Sequence, residues 1–259
     1  MKITFDYLSL SQFLILTNMK NTFKSRNYIF MFMGLLVVFA TSCKSCKNEK
    51  AMVTSLLDPT PAIVKDIDGN SYNIITIGTQ EWLLENLKTT RYQNGEAIAM
   101  VTDDNQWNSL STGAFCNYEN DAGYGSTYGH LYNWYAVIDS RNICPKGWHV
   151  PTDEEWDILT SFLGGDVVAA GKMKESTATF WVSPNVGATN ESGFTALPAG
   201  YRSVKGEFHS LGSYTFLWSS TGYGSETAWC RFFQNANDQI DRIDNYKAFG
   251  FSVRCVKDK

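Results

Sequence analysis

Thirteen uncharged residues, Tyr28–Ala40 (YIFMFMGLLVVFA), decide the surroundings in which the rest of this chain must fold. A helix that spans a bilayer core needs about 20 apolar residues, so this run is too short to span. It has the length of the apolar part of an export signal. Lys20, Lys24 and Arg26 precede it, and the small residues Ala40, Thr41 and Ser42 follow it. An uncleaved anchor is the alternative reading. Residues 1–18 lengthen the basic region beyond what export needs, whereas Met19 opens a conventional signal, so translation is expected to start there. Export also sets the redox condition, because disulfides persist outside the reducing cytosol.

Cys43 directly follows Ala40-Thr41-Ser42. That arrangement resembles the lipobox of bacterial lipoproteins, which implies acylation of the Cys43 thiol and a mature chain beginning there. Two or more acyl chains anchor stably, at about 0.8 kcal/mol per buried methylene. The expected organisation is a leader over 1–42, a lipid-bearing tether over 43–62 and one folded domain over 63–259. The expected location is the cell envelope, at the outer membrane.

The whole chain carries a net charge of −4, and losing the basic leader makes it more acidic. A partner with a phosphate backbone requires a basic face, so nucleic acid is not expected. Aromatics reach 14% against 19% charged residues, with 20 glycines. That balance favours a loop-rich domain containing strands over a helical bundle.

Of six cysteines, Cys43 is assigned to lipid and Cys46 lies in the tether. Cys116, Cys144, Cys230 and Cys255 remain. Four cysteines allow three pairings, and sequence does not choose among them. The preferred set is Cys144–Cys255 with Cys116–Cys230. Zinc needs closely spaced Cys and His; the only histidines are His130, His149 and His209, so neither a metal nor a cofactor is expected.

Local patterns place the elements. Asp68-Gly69-Asn70 is a turn, and Ser71–Ile77 is a β-rich run. Thr152 and Glu155 form a capping box that opens a helix, with Trp156, Leu159, Phe162 and Leu163 expected on one face and Gly164-Gly165 as the stop. A second helix is expected near Val167–Lys174. Strands are expected at Phe194–Leu197, Phe216–Ser219, Thr227–Phe233 and Gly250–Val256. Residues 101–129 read as one long irregular loop. The class is α+β.

Several ordered motifs are distinctive: Cys144-Pro145-Lys146-Gly147-Trp148-His149-Val150-Pro151-Thr152, Tyr128-Gly129-His130-Leu131-Tyr132-Asn133-Trp134, Gly193-Phe194-Thr195-Ala196-Leu197-Pro198, Leu217-Trp218-Ser219-Ser220-Thr221 and Gly250-Phe251-Ser252-Val253-Arg254-Cys255. Together with Trp82–Leu87 they resemble the Fibrobacter succinogenes major paralogous domain over about residues 64–258. That family is in turn similar to the formylglycine-generating-enzyme and C-type-lectin-like group. The resemblance implies a C-type-lectin-like fold with a small twisted antiparallel sheet, one or two helices and long loops. It does not carry an activity, because function resides in sites and not in folds.

Oxidase chemistry of that group needs two close cysteines on copper, and the corresponding segment holds only Cys230. The sugar-binding tripeptides of calcium-dependent lectins are absent. Asn117, Glu119 and Asp121 offer hard oxygen ligands for calcium, but Asn and Asp serve turn geometry equally well, and that reading is preferred. His130 and His149 read as structural. Glu154 and Glu155 are adjacent, so they do not converge across a scissile bond. The remaining feature is a set of tyrosines in Gly-rich segments, Tyr118, Tyr124, Tyr128 and Tyr223. They either stack on a ligand or pack on one another. The expectation is a non-catalytic module for a glycan or protein ligand. A structural or adhesive surface protein is the alternative, and an enzyme of the formylglycine-generating group is a third.

Overall fold

The computed structural model describes residues 62–259, so the leader, Cys43 and the tether up to residue 61 lie outside the described residues. Along the chain run β1 (Ile63–Lys65), β2 (Ser71–Ile77), β3 (Gln80–Leu83) and β4 (Ala99–Met100), then α1 (Asp104–Asn108) and β5 (Ala114–Cys116). A 3-10 turn at Tyr118–Asn120 leads into α2 (Ala122–Tyr128), β6 (Leu131–Tyr132), α3 (Trp134–Val137) and β7 (Trp148–His149). Next come α4 (Asp153–Phe162), α5 (Asp166–Met173), β8 (Tyr201–Arg202) and β9 (Phe208–His209). β10 (Tyr214–Tyr223), β11 (Thr227–Gln234), β12 (Asp241–Tyr246) and β13 (Val256–Lys257) complete the chain. The class is α+β.

The largest sheet is antiparallel throughout, in the order β1-β2-β3-β13-β7. β13 enters between β3 and β7, so the last strand is held by one of the first. Cys144 and Cys255 form a disulfide beside that insertion, with Cα atoms 6.0 Å apart at a sequence separation of 111. A second antiparallel sheet, β10-β11-β12, pairs Phe216 with Phe232 and Trp218 with Cys230. Its register shifts between Trp218 and Gly222, a bulge that bends β10.

Apolar side chains gather in three clusters. The first joins β2, β6, β10 and β11 around Trp218, with Phe232, Phe216 and Phe251 stacked at 4.7 and 4.6 Å. The second packs α4 and α5 on β3 through Trp82, Trp156 and Phe194. The third surrounds Trp107 with Cys116, Tyr118 and Leu131.

The capping box forms as read: the Thr152 hydroxyl accepts from Glu155 N, and Glu155 Oε2 accepts from Thr152 N at 3.0 Å. Trp156, Leu159 and Leu163 face the core, but Phe162 is 64% exposed. At about 100° per residue Phe162 falls outside the arc that the other three share, and its ring lies against Gly78 instead.

Other expectations need correction. Phe194–Leu197 is not a strand, since Thr195 has φ 54° and only Ala196 makes a β-bridge. The span 101–129 is not irregular but holds α1, β5 and α2. The expected Cys116–Cys230 bridge is absent. Both are free buried thiols, Cys116 in the third cluster and Cys230 in the first. Burial pushes each thiol up to about 12, which keeps it protonated. Among the described residues no helix is long and apolar enough to cross a membrane.

Candidate functional site

α2 (Ala122–Tyr128) is built from poor helix formers, AGYGSTY. It exists because its ends are fixed. Asp121 Oδ1 accepts from Gly123 N at 2.6 Å, capping the start. Gly129 ends it at φ 82°, and a Cβ there would press on Asn86 Cβ and Leu87 O. The 3-10 turn before it places Glu119 and Asn120 at φ 49° and 58°, a region that non-glycine residues seldom occupy.

Helical spacing divides α2 into two faces. Tyr124 and Tyr128 lie one turn apart on the first. They extend an aromatic ladder of Phe208, Tyr118, Tyr124, Tyr128 and Phe180, with successive centroids 5.4, 5.6, 6.2 and 6.0 Å apart. Tyr118 is only 7% exposed and belongs to the core. Tyr124 and Tyr128 are half-buried. Three of the four sequence-selected tyrosines therefore meet. Tyr223, 51% exposed, stands elsewhere and packs on Trp229 at 4.5 Å. Trp229 is covered by Arg242, 3.5 Å above its ring.

The second face of α2, with Gly125 and Ser126, borders a cleft of about 500 Å³. Asp68, Asn70, Lys88, Thr90 and His130 complete its lining. Small-molecule sites span roughly 300–1,000 Å³. Asp68 is committed internally: Oδ2 accepts from Thr90 N at 2.6 Å and from the Thr90 hydroxyl, and Oδ1 pairs with Arg91 at 3.2 Å. Burial raises its pKa, but these hydrogen bonds and Arg91 outweigh it and hold the carboxyl below its usual value. Lys88 Nζ donates to Ser126 O at 2.6 Å. Burial pushes His130 down to about 4, so its imidazole is neutral near pH 7. His130 Nδ1 has no partner, nor does Asn117 Oδ1 on a side chain only 5% exposed. Both atoms lie against Gly125, where a Cβ would strike Asn117 Oδ1 and approach His130 Nδ1 to 3.1 Å. Sequence reasoning missed this cleft, since residues 68–90 and 122–130 meet only in the fold.

The calcium candidates do not assemble. Asn117 points at Gly125, Glu119 is exposed on the strained turn, and Asp121 caps α2. Among the described residues no group of three or more His, Cys, Asp or Glu gathers as a metal site. His149 is a latch: Nδ1 lies 2.6 Å from Asp258 and Nε2 lies 2.9 Å from Glu155. Asp153 of the Asp153/Glu154/Glu155 helix start is held by Arg231 and Arg242.

No curated protein and no solved structure matches the chain. One family does, the Fibrobacter succinogenes major domain, over residues 75–257. The match runs from within β2 into β13 and takes in the disulfide, the capped helix α4 and both faces of α2. The chain therefore belongs to the Fibrobacter succinogenes major domain family.

Proposed function

We infer that the folded part is a non-catalytic binding module of lectin-like fold, exported and tethered through lipid on Cys43 to the bacterial outer membrane, and that it recognises a glycan or a protein. The single observation that carries this reading is the α2 surface. Two half-buried tyrosines sit one turn apart, fixed from behind by Tyr118 and Phe180. Aromatic edges and faces held in place offer contact area at little conformational cost. Small antiparallel sheets with long connections suit a lectin-like fold, and a disulfide suits export.

A glycan array probed with the mature chain tests the reading. Tyr124→Ala with Tyr128→Ala is expected to lower the strongest signals about tenfold, the loss of one to two aromatic contacts. Tyr223→Ala is expected to leave them unchanged, because Tyr223 stands apart beside Trp229. An array with no signal would remove the glycan half of the reading. Signals that survive the double variant would remove α2 as the surface.

A further inference from the structure

Beside the disulfide lies a cavity of about 220 Å³ where three stretches distant in sequence meet, 65–67, 89–93 and 143–146. In a chain of net charge −4, three of its lining residues are cations, Lys65, Arg91 and Lys146, and all three are exposed to solvent. The carboxylate in the lining, Asp66, is already saturated. Its Oδ1 accepts from Asp68 N and Asn70 N at 3.0 and 2.9 Å, and its Oδ2 accepts from Asn70 Nδ2 and the Tyr72 hydroxyl at 2.8 and 2.7 Å. Lys65 and Lys146 form no ion pair among the described residues. Arg91 is held differently. Its Nε lies 3.2 Å from Asp68 Oδ1, and Asp68 is fixed in turn by Thr90 N at 2.6 Å and by the Thr89 hydroxyl. That pair takes the Nε side of the guanidinium and leaves the terminal amino groups for another acceptor. The Cys144-Pro145 lining is equally fixed: Gln93 Nε2 donates to Cys144 O and Pro145 O at 2.8 and 3.1 Å, and Cys144 is bonded to Cys255.

The ligand chemistry follows from this set. A cation is repelled, and a neutral group leaves three positive charges unanswered. Counting Asp68, which pairs with Arg91, the three cations face two carboxylates, an excess of one positive charge. That excess matches a carboxylate better than a phosphate monoester, which carries about −1.5 to −2 at pH 7. A carboxylate also presents two oxygens to the paired N–H groups of an arginine. Ile67, Ile143 and Pro145 give the cavity an apolar lining for a carbon body. Its volume of about 220 Å³ lies below the roughly 300–1,000 Å³ of drug-sized sites, so the acid is small.

We propose that this cavity binds the carboxylate of a small organic acid, with Arg91 as the paired donor and Lys65 and Lys146 as flanking charges. The site shares no lining residue with the cleft beside α2 and does not rest on the reading of that surface. The carboxylate belongs either to a free acid or to the end of a peptide, and the two sources are separated by titration.

The test uses the mature chain with 13C-methyl isoleucine and follows the Ile67 and Ile143 methyl signals by NMR. Butyrate, N-acetylalanine, butyramide and inorganic phosphate are titrated separately at pH 7 and constant ionic strength, so that screening is equal throughout. A saturable shift with butyrate or N-acetylalanine is expected, and the tighter of the two names the source. Butyramide, the neutral isostere of butyrate, is expected to give none. Arg91→Lys keeps the charge but loses the paired donors, and is expected to weaken the carboxylate titration about tenfold. Tyr124→Ala with Tyr128→Ala is expected to leave it unchanged, which separates this site from the α2 surface. If near-ultraviolet circular dichroism shows that Arg91→Lys disturbs the fold, Lys146→Gln decides, because Lys146 is exposed and without an ion pair; it is expected to weaken the titration severalfold. No saturable shift with either carboxylate overturns the proposal. So does phosphate that binds as tightly as butyrate, or a titration that ignores both Arg91→Lys and Lys146→Gln.

Discussion

Four fully buried cations, Lys174, Arg202, Arg231 and Arg254, do in this chain what longer sheets do elsewhere. A loop-rich fold leaves carbonyls without ladder partners, and a buried carbonyl without a donor is costly. Lys174 Nζ donates to Val186, Gln234 and Asn237 carbonyls at 2.9, 3.0 and 2.7 Å. Burial lowers its pKa to about 8. Arg202 serves Val101, Thr102 and Gly206 carbonyls, and Arg254 serves the Phe194 carbonyl and Asn86. His149 is the pH-sensitive member of this polar framework. The hydrogen bond that its ring donates to the Glu155 carboxylate raises its pKa, burial opposes that, and Asp258 adds to the rise. A raised folded-state pKa means that its stabilisation is complete below about 6.5 and fades as pH climbs through the folded value. Glu155 behaves oppositely. Burial raises its pKa, but His149 and Thr152 bring it down to about 2, so its share is lost only as pH falls toward that value. His149→Gln is therefore expected to lower the thermal midpoint by about 2–4 °C at pH 5.5, the effect of roughly 1 kcal/mol in a partly exposed pair. At pH 9 the deficit is expected to shrink. Calorimetry at the two pH values checks this, and an equal deficit at both would show that the charge on His149 contributes nothing.

Elements differed in how far they could be read from residues alone. The capping box of α4 and the Asp68-Gly69-Asn70 turn rest on contacts within four residues, and both are present. α2 was illegible because Gly, Ser and Thr favour other conformations, and its stability comes from Asp121, Gly129 and the ladder behind it. β12 was missed because Asp241–Tyr246 is polar. It is an edge strand whose charges suit a solvent border, and it pairs with β11 alone. The cysteines show the same divide. Cys144 and Cys255 meet where β13 joins β7, whereas Cys116 and Cys230 are carried into separate clusters by β5 and β11, a non-local outcome that spacing does not contain. Alkylation followed by mass spectrometry checks the pairing. Neither Cys116 nor Cys230 is expected to react in the native chain, and both are expected to react after denaturation without reductant. Replacing Cys144 and Cys255 together with Ser is expected to cost about 2–5 kcal/mol, or roughly 5–15 °C in midpoint. A labelled Cys144 in the unreduced, denatured chain would contradict the assignment.

At the scale of the whole domain, the order of the chain explains the position of the surface. β13 returns between β3 and β7, so the ends of the domain share one sheet and the middle of the chain is free to form the rim. α2 lies in that middle, between β5 and β6, braced by the third cluster on one side and by the Asp68–Thr90 segment on the other. Family membership covers this arrangement, and the binding role rests on the surface that it displays. Hydrogen–deuterium exchange of the mature chain, with and without the glycan that ranks first on the array, tests that role most directly. Protection is expected at 117–130, 66–70 and 88–90. Protection confined to β10–β12 around Tyr223, or no protection anywhere, would contradict it.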